Sequence, residues 1–397
     1  MKLAVVTPRY GREVPGGAET AARLLATHLA TRPGFTVEAL TTCALDATTW
    51  TDHYEPGETE IDGVHVRRFP VKGRRSADFD ARTERVIGLG RRVTDAEQQE
   101  WLDKQGPVAP GLIDAIARSD ADAFAFHPYM YHPTVAGLPA VADRAILHPA
   151  AHDEPVFRLP FYGPLFERAA ALAYWSEPER RLVEQRFPVA AKPALVVGLG
   201  VDAGEGTPQS AQKALGLDDR PYVLCLGRVD DGKGARLLAD CFAQYKSRRG
   251  GDLRLVFAGP VVNALPDHPD IVVAGAVDEP VKWGLLRGAR ALVSPSAFES
   301  FSIVLMEAWS VGTPALVNRR CAVTLDHVRR SGGGLAFGSY AELEVELERI
   351  AGSASLRAAL GHAGRSFVDG HYRWSDVIDR YASFVQAVGT RGARRSA

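Results

Sequence analysis

Short apolar runs alternate with helix-like stretches along all 397 residues, and this alternation most restricts how the chain can fold. The first half contains the runs Leu3–Thr7 and Val37–Thr41, with the helical pattern Ala18–Arg32 between them. The second half repeats the pattern, as at Val223–Leu226 and Leu253–Ala258. Strands that alternate with helices form parallel sheets covered by helices. The sequence therefore predicts an α/β protein with two doubly wound domains, each a parallel sheet covered by helices.

Further apolar runs and a linker complete this organisation. Additional strands are predicted at Val64–Phe69, Ala123–His127, Ala145–His148, Leu172–Trp175, Ile271–Val273, Ala291–Val293 and Ala315–Val317. The stretch Phe187–Thr207 contains proline and glycine and is the predicted domain boundary. A length of 397 residues agrees with two domains, since single domains usually have about 100–200 residues.

Charge and cysteine usage exclude several classes of protein. The formal net charge is −1, so no overall charge calls for nucleic acid or a membrane as partner. The four cysteines have neither C-x-x-C nor zinc-finger spacing, and we expect small buried thiols in a reducing compartment. No apolar run approaches the ~18 residues of a membrane span, and the start of the chain lacks a signal-peptide core. A cytoplasmic protein is predicted.

Two glutamates eight residues apart form the most informative motif. Glu299 lies in a loop-like stretch, and Glu307 lies in an apolar run that predicts a helix beginning near Ser302. The free N–H groups of Ser302, Ile303 and Val304 would face the helix start and favour an anion. The alternative is that Glu299 caps the helix and Glu307 is a solvated helix residue.

A second motif, Gly227–Gly234 (GRVDDGKG), lies between a predicted strand and a predicted helix. Arg228 offers a planar fork and Lys233 a point charge, which suit a diphosphate. The string also matches the P-loop core G-x-x-x-x-G-K. However, Gly234 stands where a P-loop needs Ser or Thr to hold magnesium. A surface turn with two solvated cations is the remaining alternative.

Three weaker motifs occur in the chain. Val196–Ala203 contains G-x-G-x-x-A, but the glycines and proline that follow do not allow an immediate helix, so the match is attributed to chance. Gly16 and Gly17 lie between a strand and a helix, where backbone can approach a ligand or simply form a tight turn. His152 and Asp153 follow a strand of the first domain, where either a site or a structural histidine would be expected.

Taken together, these segments resemble the retaining glycosyltransferases of family 4, which have the GT-B fold of two Rossmann-like domains facing a cleft. The match is ordered and spans nearly the whole chain. Its landmarks are Gly16–Glu19, His152–Asp153, Gly200–Asp202, Gly227–Gly234, Ser294–Ser296, the pair Glu299 and Glu307, and Tyr372–Ser375. The resemblance implies an acceptor-binding domain at 1–188, a nucleotide-sugar domain at 189–373 and a helix at 374–388 that returns to the first domain.

The resemblance also implies roles for the charged residues. Arg228 and Lys233, next to Gly227, would clamp the donor diphosphate and stabilise it as it leaves. Glu299 would hold hydroxyl groups of the donor sugar, and Glu307 those of the ribose. With His152, which would approach the sugar from the first domain, Arg228, Lys233 and Glu299 form the implied catalytic set.

Backbone groups and a first-domain loop complete the implied site. Backbone around the sugar, the phosphates and the base would come from Phe301, Ser302, Ile303, Val304, Ala276, Gly16 and Gly17. Asp153 and Arg158 are candidates for binding acceptor hydroxyl groups. In one place the chain departs from the family: Ala274 precedes Gly275 where the family usually has an aromatic residue near the base. The identity of the base therefore stays open.

The implied reaction is transfer of a sugar from a nucleoside diphosphate sugar, most often a uridine one, with retention of configuration and no bound metal or other cofactor. The acceptor would be a sugar, a lipid or a secondary metabolite. The alternatives are a nucleotide-sugar epimerase, a sugar phosphorylase, an inactive paralogue and, least favoured, a P-loop nucleotide-binding protein.

Segment 67–92 concentrates positive charge in the first domain. It carries nine basic and three acidic residues, a local charge of +6. The basic residues are Arg67, Arg68, Lys72, Arg74, Arg75, Arg82, Arg85, Arg91 and Arg92. This segment could meet an anionic acceptor or make peripheral contact with an anionic membrane; the alternative is a solvated insertion helix.

Overall fold

The computed structural model describes residues 1–396, without the side chains of residue 91 and residues 393–396. The chain divides into two compact units. The first consists of Met1–Leu199 together with the residues from Ser375 onward, and the second of Gly200–Trp374. The division at Leu199 lies within the predicted boundary stretch Phe187–Thr207, but later than the division between residues 188 and 189 that the resemblance implies.

The first unit contains an eight-stranded sheet with the order β3-β4-β2-β1-β5-β6-β7-β8. Its strands are β1 (Lys2–Val6), β2 (Thr36–Thr42), β3 (Gly57–Ile61), β4 (Val64–Phe69), β5 (Ala123–Phe126), β6 (Ala145–Leu147), β7 (Ala171–Tyr174) and β8 (Ala194–Val196). All neighbours are parallel except β3 and β4. Because β8 pairs with β7, with Val196 opposite Tyr174, the chain up to Leu199 completes the first sheet, and this explains the later boundary.

Seven helices accompany this sheet before the boundary. They are α1 (Gly17–Ala30), α2 (Phe79–Leu89), α3 (Asp95–Gln105), α4 (Pro110–Arg118), α5 (His132–Gly137), α6 (Tyr162–Arg168) and α7 (Glu177–Arg186). The strands β5, β6 and β7 are buried along their whole length. Both faces of a helix-covered parallel sheet are withdrawn from water, which is why these strands read as continuous apolar runs.

The second unit contains a six-stranded parallel sheet with the order β11-β10-β9-β12-β13-β14. Its strands are β9 (Tyr222–Leu226), β10 (Arg254–Ala258), β11 (Ile271–Val273), β12 (Leu292–Ser294), β13 (Ala315–Asn318) and β14 (Gly334–Phe337). Counted from β9, this is the 3-2-1-4-5-6 order of nucleotide-binding sheets. The direction of winding reverses between β9 and β12.

The remaining helices are α8 (Pro208–Leu215), α9 (Ala235–Arg249), α10 (Glu279–Gly288), α11 (Ile303–Ser310), α12 (Ala322–Ser331), α13 (Tyr340–Gly352), α14 (Ala354–His371) and α15 (Trp374–Ser396). Helix α15 runs beyond the predicted end at residue 388 and packs on the first unit. There, the buried Tyr381 hydroxyl lies 3.0 Å from Nε2 of His148. Every helix within residues 1–396 is too short or too polar to span a lipid bilayer.

Segment 67–92 is neither one insertion helix nor a uniformly charged surface. It contains the end of β4, a loop and α2. Arg68 is buried, with its guanidinium 3.7 Å from the centre of the Tyr54 ring, and Arg75 donates to Oε1 of Gln105. Arg67, Arg82 and Arg85 form ion pairs with Glu58, Glu100 and Glu97. The side chain of Arg91 lies outside the description. Much of the predicted +6 charge is therefore compensated by residues from other parts of the chain.

Candidate functional site

The carboxyl ends of β9 and β12 meet where the winding of the second sheet reverses. Loop 227–234 follows β9 and leads into α9, and loop 295–302 follows β12 and leads into α11. Parallel α/β sheets bind ligands at such a switch point. The two motifs with predicted chemistry therefore lie side by side, although they are far apart in the sequence.

Asp230 organises the first of these loops. Only 7% of this residue is exposed. Its Oδ1 accepts a hydrogen bond of 2.7 Å from the backbone N–H of Lys233, and its Oδ2 accepts one from Nε of Arg228. Gly234 has φ +75° and lies against the second loop, since a Cβ there would lie 3.0 Å from the carbonyl oxygen of Pro295. The loop thus presents both cations from a fixed backbone.

Lys233 and Glu299 form the contact that joins the two loops. The Lys233 ammonium lies 2.8 Å from Oε1 of Glu299. The Lys233 side chain is 38% exposed and the Glu299 side chain 17%, while Arg228 beside them is 59% exposed. A half-buried ion pair contributes little net stability after desolvation. Two cations and a carboxylate held at a switch point therefore indicate ligand chemistry rather than a packing role.

The start of α11 adds hydrogen-bond donors to this group. The helix begins at Ile303, as predicted, and Ser302 before it has φ +68° and is 6% exposed. The Ser302 hydroxyl is buried and has no hydrogen-bond partner among the described residues. The first N–H groups of a helix have no partner within it and carry partial positive charge. Together with the hydroxyl, they can receive an anion or polar ligand atoms.

Phe301 packs against two other aromatic rings. It is 4% exposed, and its ring centre lies 5.2 Å from that of Tyr372 and 5.5 Å from that of His327. Burial lowers the pKa of His327 to about 4, so this imidazole is neutral near pH 7. The loop before α11 therefore rests on a rigid, uncharged support.

Glu307 lies inside the domain and not on a solvated helix face, so that alternative is wrong. Its side chain is 13% exposed, and Oε1 lies 2.9 Å from the ammonium of Lys282 on α10. Burial raises the pKa of Glu307, and the nearby Lys282 acts in the opposite direction. Lys282 also contacts Glu279 at 2.8 Å.

Backbone contacts connect the loops after β9, β10 and β11. The N–H of Gly227 donates to the carbonyl of Ala258 at 2.9 Å, and that of Gly259 donates to Gly275 at 2.7 Å. A Cβ at Gly259 would lie 2.0 Å from the carbonyl oxygen of Gly227. Ala276, the predicted base contact, is exposed just after β11. The predicted donor residues of the second unit are thus gathered at one edge of its sheet.

In the first unit, Gly16 and Gly17 lie at the start of α1. Gly16 has φ +144°, and a Cβ there would lie 2.3 Å from Oε2 of Glu19. Glu19 accepts a 3.0 Å hydrogen bond from Nε of Arg9, and both residues are buried. This buried pair, which sequence reasoning missed, holds the glycine turn in place.

The three predicted polar site residues of the first unit, His152, Asp153 and Arg158, take part in two contacts. His152 Nδ1 lies 3.2 Å from Oε1 of Glu154, and the two side chains are 28% and 24% exposed. Asp153 and Arg158 form an ion pair of 2.7 Å, with side chains 58% and 63% exposed. The structure therefore brings the two predicted acceptor residues together and gives His152 a carboxylate neighbour.

Glu179, on α7, fixes the backbone of this loop. It is 1% exposed, and its two carboxylate oxygens accept the N–H groups of Ala151 at 2.8 Å and Trp175 at 2.5 Å. Ala150, directly before Ala151, has φ +52°. Burial raises the pKa of Glu179 to about 8 although several backbone N–H groups favour its charged form.

Solved structures resemble the chain over almost its whole length. Sucrose-phosphate synthase from Thermosynechococcus elongatus has a TM-score of 0.72 and 17% identity, covering 98% of both chains. HepE from Anabaena, solved with UDP and glucose, has a TM-score of 0.70 and 15% identity, covering 98% of this chain and 100% of that one. These likenesses establish the GT-B fold.

Within this fold, residues 220–347 match the family described as glycosyl transferases group 1. These residues therefore resemble a group 1 glycosyltransferase domain, and we call segment 220–347 the glycosyltransferase domain. This domain contains the Arg228, Lys233, Glu299 and Glu307 group described above.

Two sequence relatives match longer stretches of the chain than the family model does. D-inositol 3-phosphate glycosyltransferase from Segniliparus rotundus is 24% identical over 258 residues, which are 60% of this chain and 57% of that protein. Alpha-D-kanosaminyltransferase from Streptomyces kanamyceticus is 23% identical over 185 residues, 44% of this chain and 47% of that protein. The chain thus spans about half the length of these relatives.

Gly259 gives a direct test of the loop packing in the glycosyltransferase domain. Gly259→Ala is expected to reduce the free energy of unfolding by about 2–4 kcal/mol, because its Cβ would collide with backbone. Gly57→Ala is the matched control, since Gly57 has a similar φ of +134° with no heavy atom within 4 Å of its Cβ position. Urea unfolding measures both variants. Equal losses would show that φ alone, and not the close approach, determines the effect.

Sequence reasoning missed Asp230 and Lys282 in the glycosyltransferase domain and Glu179 in the first unit. Asp230 lies within the Gly227–Gly234 motif, and its position next to two cations was an available signal. For Lys282, the only local hint is Glu279 three residues earlier, a common helical ion pair. The hydrogen bond between Glu179 and Ala151 joins residues 28 positions apart in the sequence, and no local pattern predicts it.

Proposed function

We propose that the chain is a retaining glycosyltransferase of family 4 that transfers a sugar from a nucleoside diphosphate sugar, with UDP-sugar as the favoured donor, to a hydroxyl acceptor. The observation that carries this proposal is the Lys233–Glu299 pair beside Arg228 and the start of α11. The solved structure of HepE with UDP and glucose, which has the same fold, supports the choice of donor.

The charges of this group suit the proposed reaction. Breaking the sugar–phosphate bond leaves negative charge on the diphosphate and oxocarbenium-like positive charge on the sugar ring. Arg228, Lys233 and the first N–H groups of α11 would stabilise the diphosphate as it leaves. Glu299 would orient Lys233 and accept hydrogen bonds from sugar hydroxyl groups. With charge neutralisation assigned to these groups, the proposal requires no bound metal.

The roles in the second unit follow the same logic. Glu307 would accept hydrogen bonds from the ribose hydroxyl groups, and backbone near Gly227 and Ala276 would surround the nucleotide. Phe301 and Ser302 would border the sugar and phosphate. Retention would result from front-side attack by the acceptor, with a leaving phosphate oxygen taking the acceptor proton.

The acceptor is assigned to the first unit. Asp153 and Arg158 line a cavity of about 420 Å³ together with Phe157 and Leu182. Gln185 and Arg186 complete the polar part of this lining. The mixture of charged, polar and apolar side chains suits a hydroxylated acceptor with an apolar part, whether a sugar, a lipid or a secondary metabolite. His152, one residue before Asp153, is assigned to the donor sugar, and Gly16 and Gly17 to the phosphates or the acceptor.

The proposal also covers the surface contacts of segment 67–92 and the cellular location of the protein. We assign any contact of segment 67–92 with an anionic acceptor or membrane surface to the exposed Lys72, Arg74 and Arg92. A cytoplasmic location agrees with the four cysteines, which are free thiols.

A nucleotide panel followed by product analysis tests this function. Thermal unfolding is measured with UDP, GDP, ADP and dTDP, and we expect UDP to raise the melting temperature most. Slow hydrolysis of the matching nucleotide sugar, unchanged by EDTA, should then release a sugar whose initial anomeric form matches that of the donor. Absence of stabilisation by every nucleotide would overturn the proposal, and inverted product would overturn retention alone.

A further inference from the structure

Lys282 occupies an unexpected place in the glycosyltransferase domain. It lies on α10, yet its ammonium contacts Oε1 of Glu307 on α11 at 2.9 Å. The same ammonium contacts the Glu279 carboxylate at 2.8 Å, and the Lys282 side chain is only 17% exposed. A lysine that is mostly withdrawn from water and shared between two carboxylates is held in one position.

Neighbouring groups on α10 hold this ammonium in place. The indole Nε1 of Trp283 donates to Glu279 at 3.0 Å, and the Lys282 ammonium lies 4.9 Å from the centre of the Trp283 ring. Trp283 is 4% exposed and packs against Gly204, where a Cβ would lie 2.4 Å from its Cδ1. The contacts of Trp283 and Glu279 with Lys282 therefore hold its positively charged ammonium group next to Glu307.

Burial and the Lys282 charge act in opposite directions on Glu307. Burial favours a neutral carboxyl group, and Lys282 favours the carboxylate. Among the described residues, the charged groups that act on the pKa of Glu307 are Lys282, which lowers it, and Glu279, which raises it, both from α10. Since Lys282 contacts Oε1, the second oxygen of Glu307 is the one left to a ligand. A carboxylate accepts hydrogen bonds from two neighbouring hydroxyl groups, whereas a neutral carboxyl group also carries a donor proton.

We propose that Lys282 is a positioning residue of the donor site, which holds the Glu307 carboxylate charged and aimed so that it accepts hydrogen bonds from the ribose hydroxyl groups of a nucleoside diphosphate. This inference rests on the proposed function, because the ribose role of Glu307 belongs to it. It adds a residue that acts through Glu307, without requiring contact between Lys282 and the donor.

Calorimetric binding of UDP to the full chain tests the role directly. Lys282→Met is expected to weaken UDP binding at pH 7.5 about tenfold, and Lys282→Arg should recover much of that loss. Lys213→Met, at an exposed lysine of α8, is the control and should bind UDP as the wild type does. Circular dichroism and thermal unfolding without ligand establish that each variant is folded.

Three further measurements separate positioning from a general structural effect. The loss in Lys282→Met should grow as the pH falls from about 8 to 6, because without the lysine the pKa of Glu307 moves further upward. The same substitution should weaken binding of 2′,3′-dideoxyuridine diphosphate far less, since this ligand lacks the ribose hydroxyl groups. In a Glu307→Gln background, Lys282→Met should have little further effect on UDP binding.

The outcomes distinguish this inference from the proposed function. If the wild-type chain binds no nucleoside diphosphate, the proposed function fails. If it binds UDP but Lys282→Met binds equally well at every pH, or loses both ligands equally, the role of Lys282 is wrong while the function stands.

Discussion

Lys233→Ala is expected to lower kcat/KM for the nucleotide-sugar donor by about 100- to 1,000-fold, equivalent to about 3–4 kcal/mol of transition-state stabilisation. The substitution removes a cation that would face the leaving diphosphate. It also leaves the Glu299 carboxylate, whose side chain is 17% exposed, without the partner that now lies 2.8 Å away. An uncompensated carboxylate next to a diphosphate adds repulsion to the lost attraction.

Conservative and double variants identify the source of this loss. Lys233→Arg keeps the charge but changes its geometry and should retain more activity than the alanine variant. Lys233→Ala with Glu299→Gln removes the repulsive carboxylate as well, so donor KM should partly recover while kcat stays low. Steady-state kinetics on all variants measure this, with Lys213→Ala on α8 as the control. Activity of Lys233→Ala within threefold of the wild type would falsify the assigned role.

The arrangement of the donor motifs could be predicted because it follows from local sequence. Apolar runs at Val223–Leu226 and Ala291–Val293 mark buried strands, and the motifs directly after them occupy the carboxyl ends of β9 and β12. Parallel sheets place such ends at one edge. The start of α11 is predicted near Ser302, because loop-like residues precede an apolar run there, and the helix begins at Ile303.

Other features depend on pairings that a local pattern does not contain. Every predicted strand is present, but β3, β8 and β14 were not predicted. Strand β3 (GETEI) is largely exposed and antiparallel, so it has no apolar run. The two units divide after Leu199, and not after residue 188 as the resemblance implies, because β8 pairs with β7 in the first sheet.

Long-range partners also changed the interpretation of single charges. The local charge of +6 in segment 67–92 does not include Glu58, Glu97 and Glu100. These glutamates lie outside the segment in sequence but form ion pairs with its arginines. The spacing of Glu307 fits a solvated helix face as well as a site, because its partner Lys282 lies 25 residues away in the sequence. Spacing identifies the residue types available for chemistry, and the fold decides which of them meet.

Glu179→Gln is expected to change how stability depends on pH. Burial raises the pKa of Glu179 to about 8 in the folded chain, against an ordinary value of about 4.3 for glutamate in an unfolded chain. The folded state thus holds the proton more tightly. The contribution of Glu179 to the free energy of unfolding is therefore fully present below about pH 4.3, where the side chain is protonated in both states, and is lost as the pH rises to about 8.

The expected slope follows from this difference. Between about pH 6 and 7.5, the free energy of unfolding of the wild type should fall with pH by up to about 1.4 kcal/mol per unit more than that of Glu179→Gln. Urea unfolding at several pH values measures it, and other titrating groups cancel in the comparison. Glu177→Gln, in the first turn of the same helix, is the matched control and should keep the wild-type slope.

Glu179→Ala should have the larger effect at any single pH. It leaves the N–H groups of Ala151 and Trp175 buried without their acceptor, at a cost of about 2–5 kcal/mol in unfolding free energy. Because Ala150 has φ +52°, the loop carrying His152 is expected to relax once that anchor is lost, so activity should fall further than in Glu179→Gln. If the alanine variant matches the wild type in stability, or if Glu179→Gln keeps the wild-type slope, the buried carboxylate does not hold this loop.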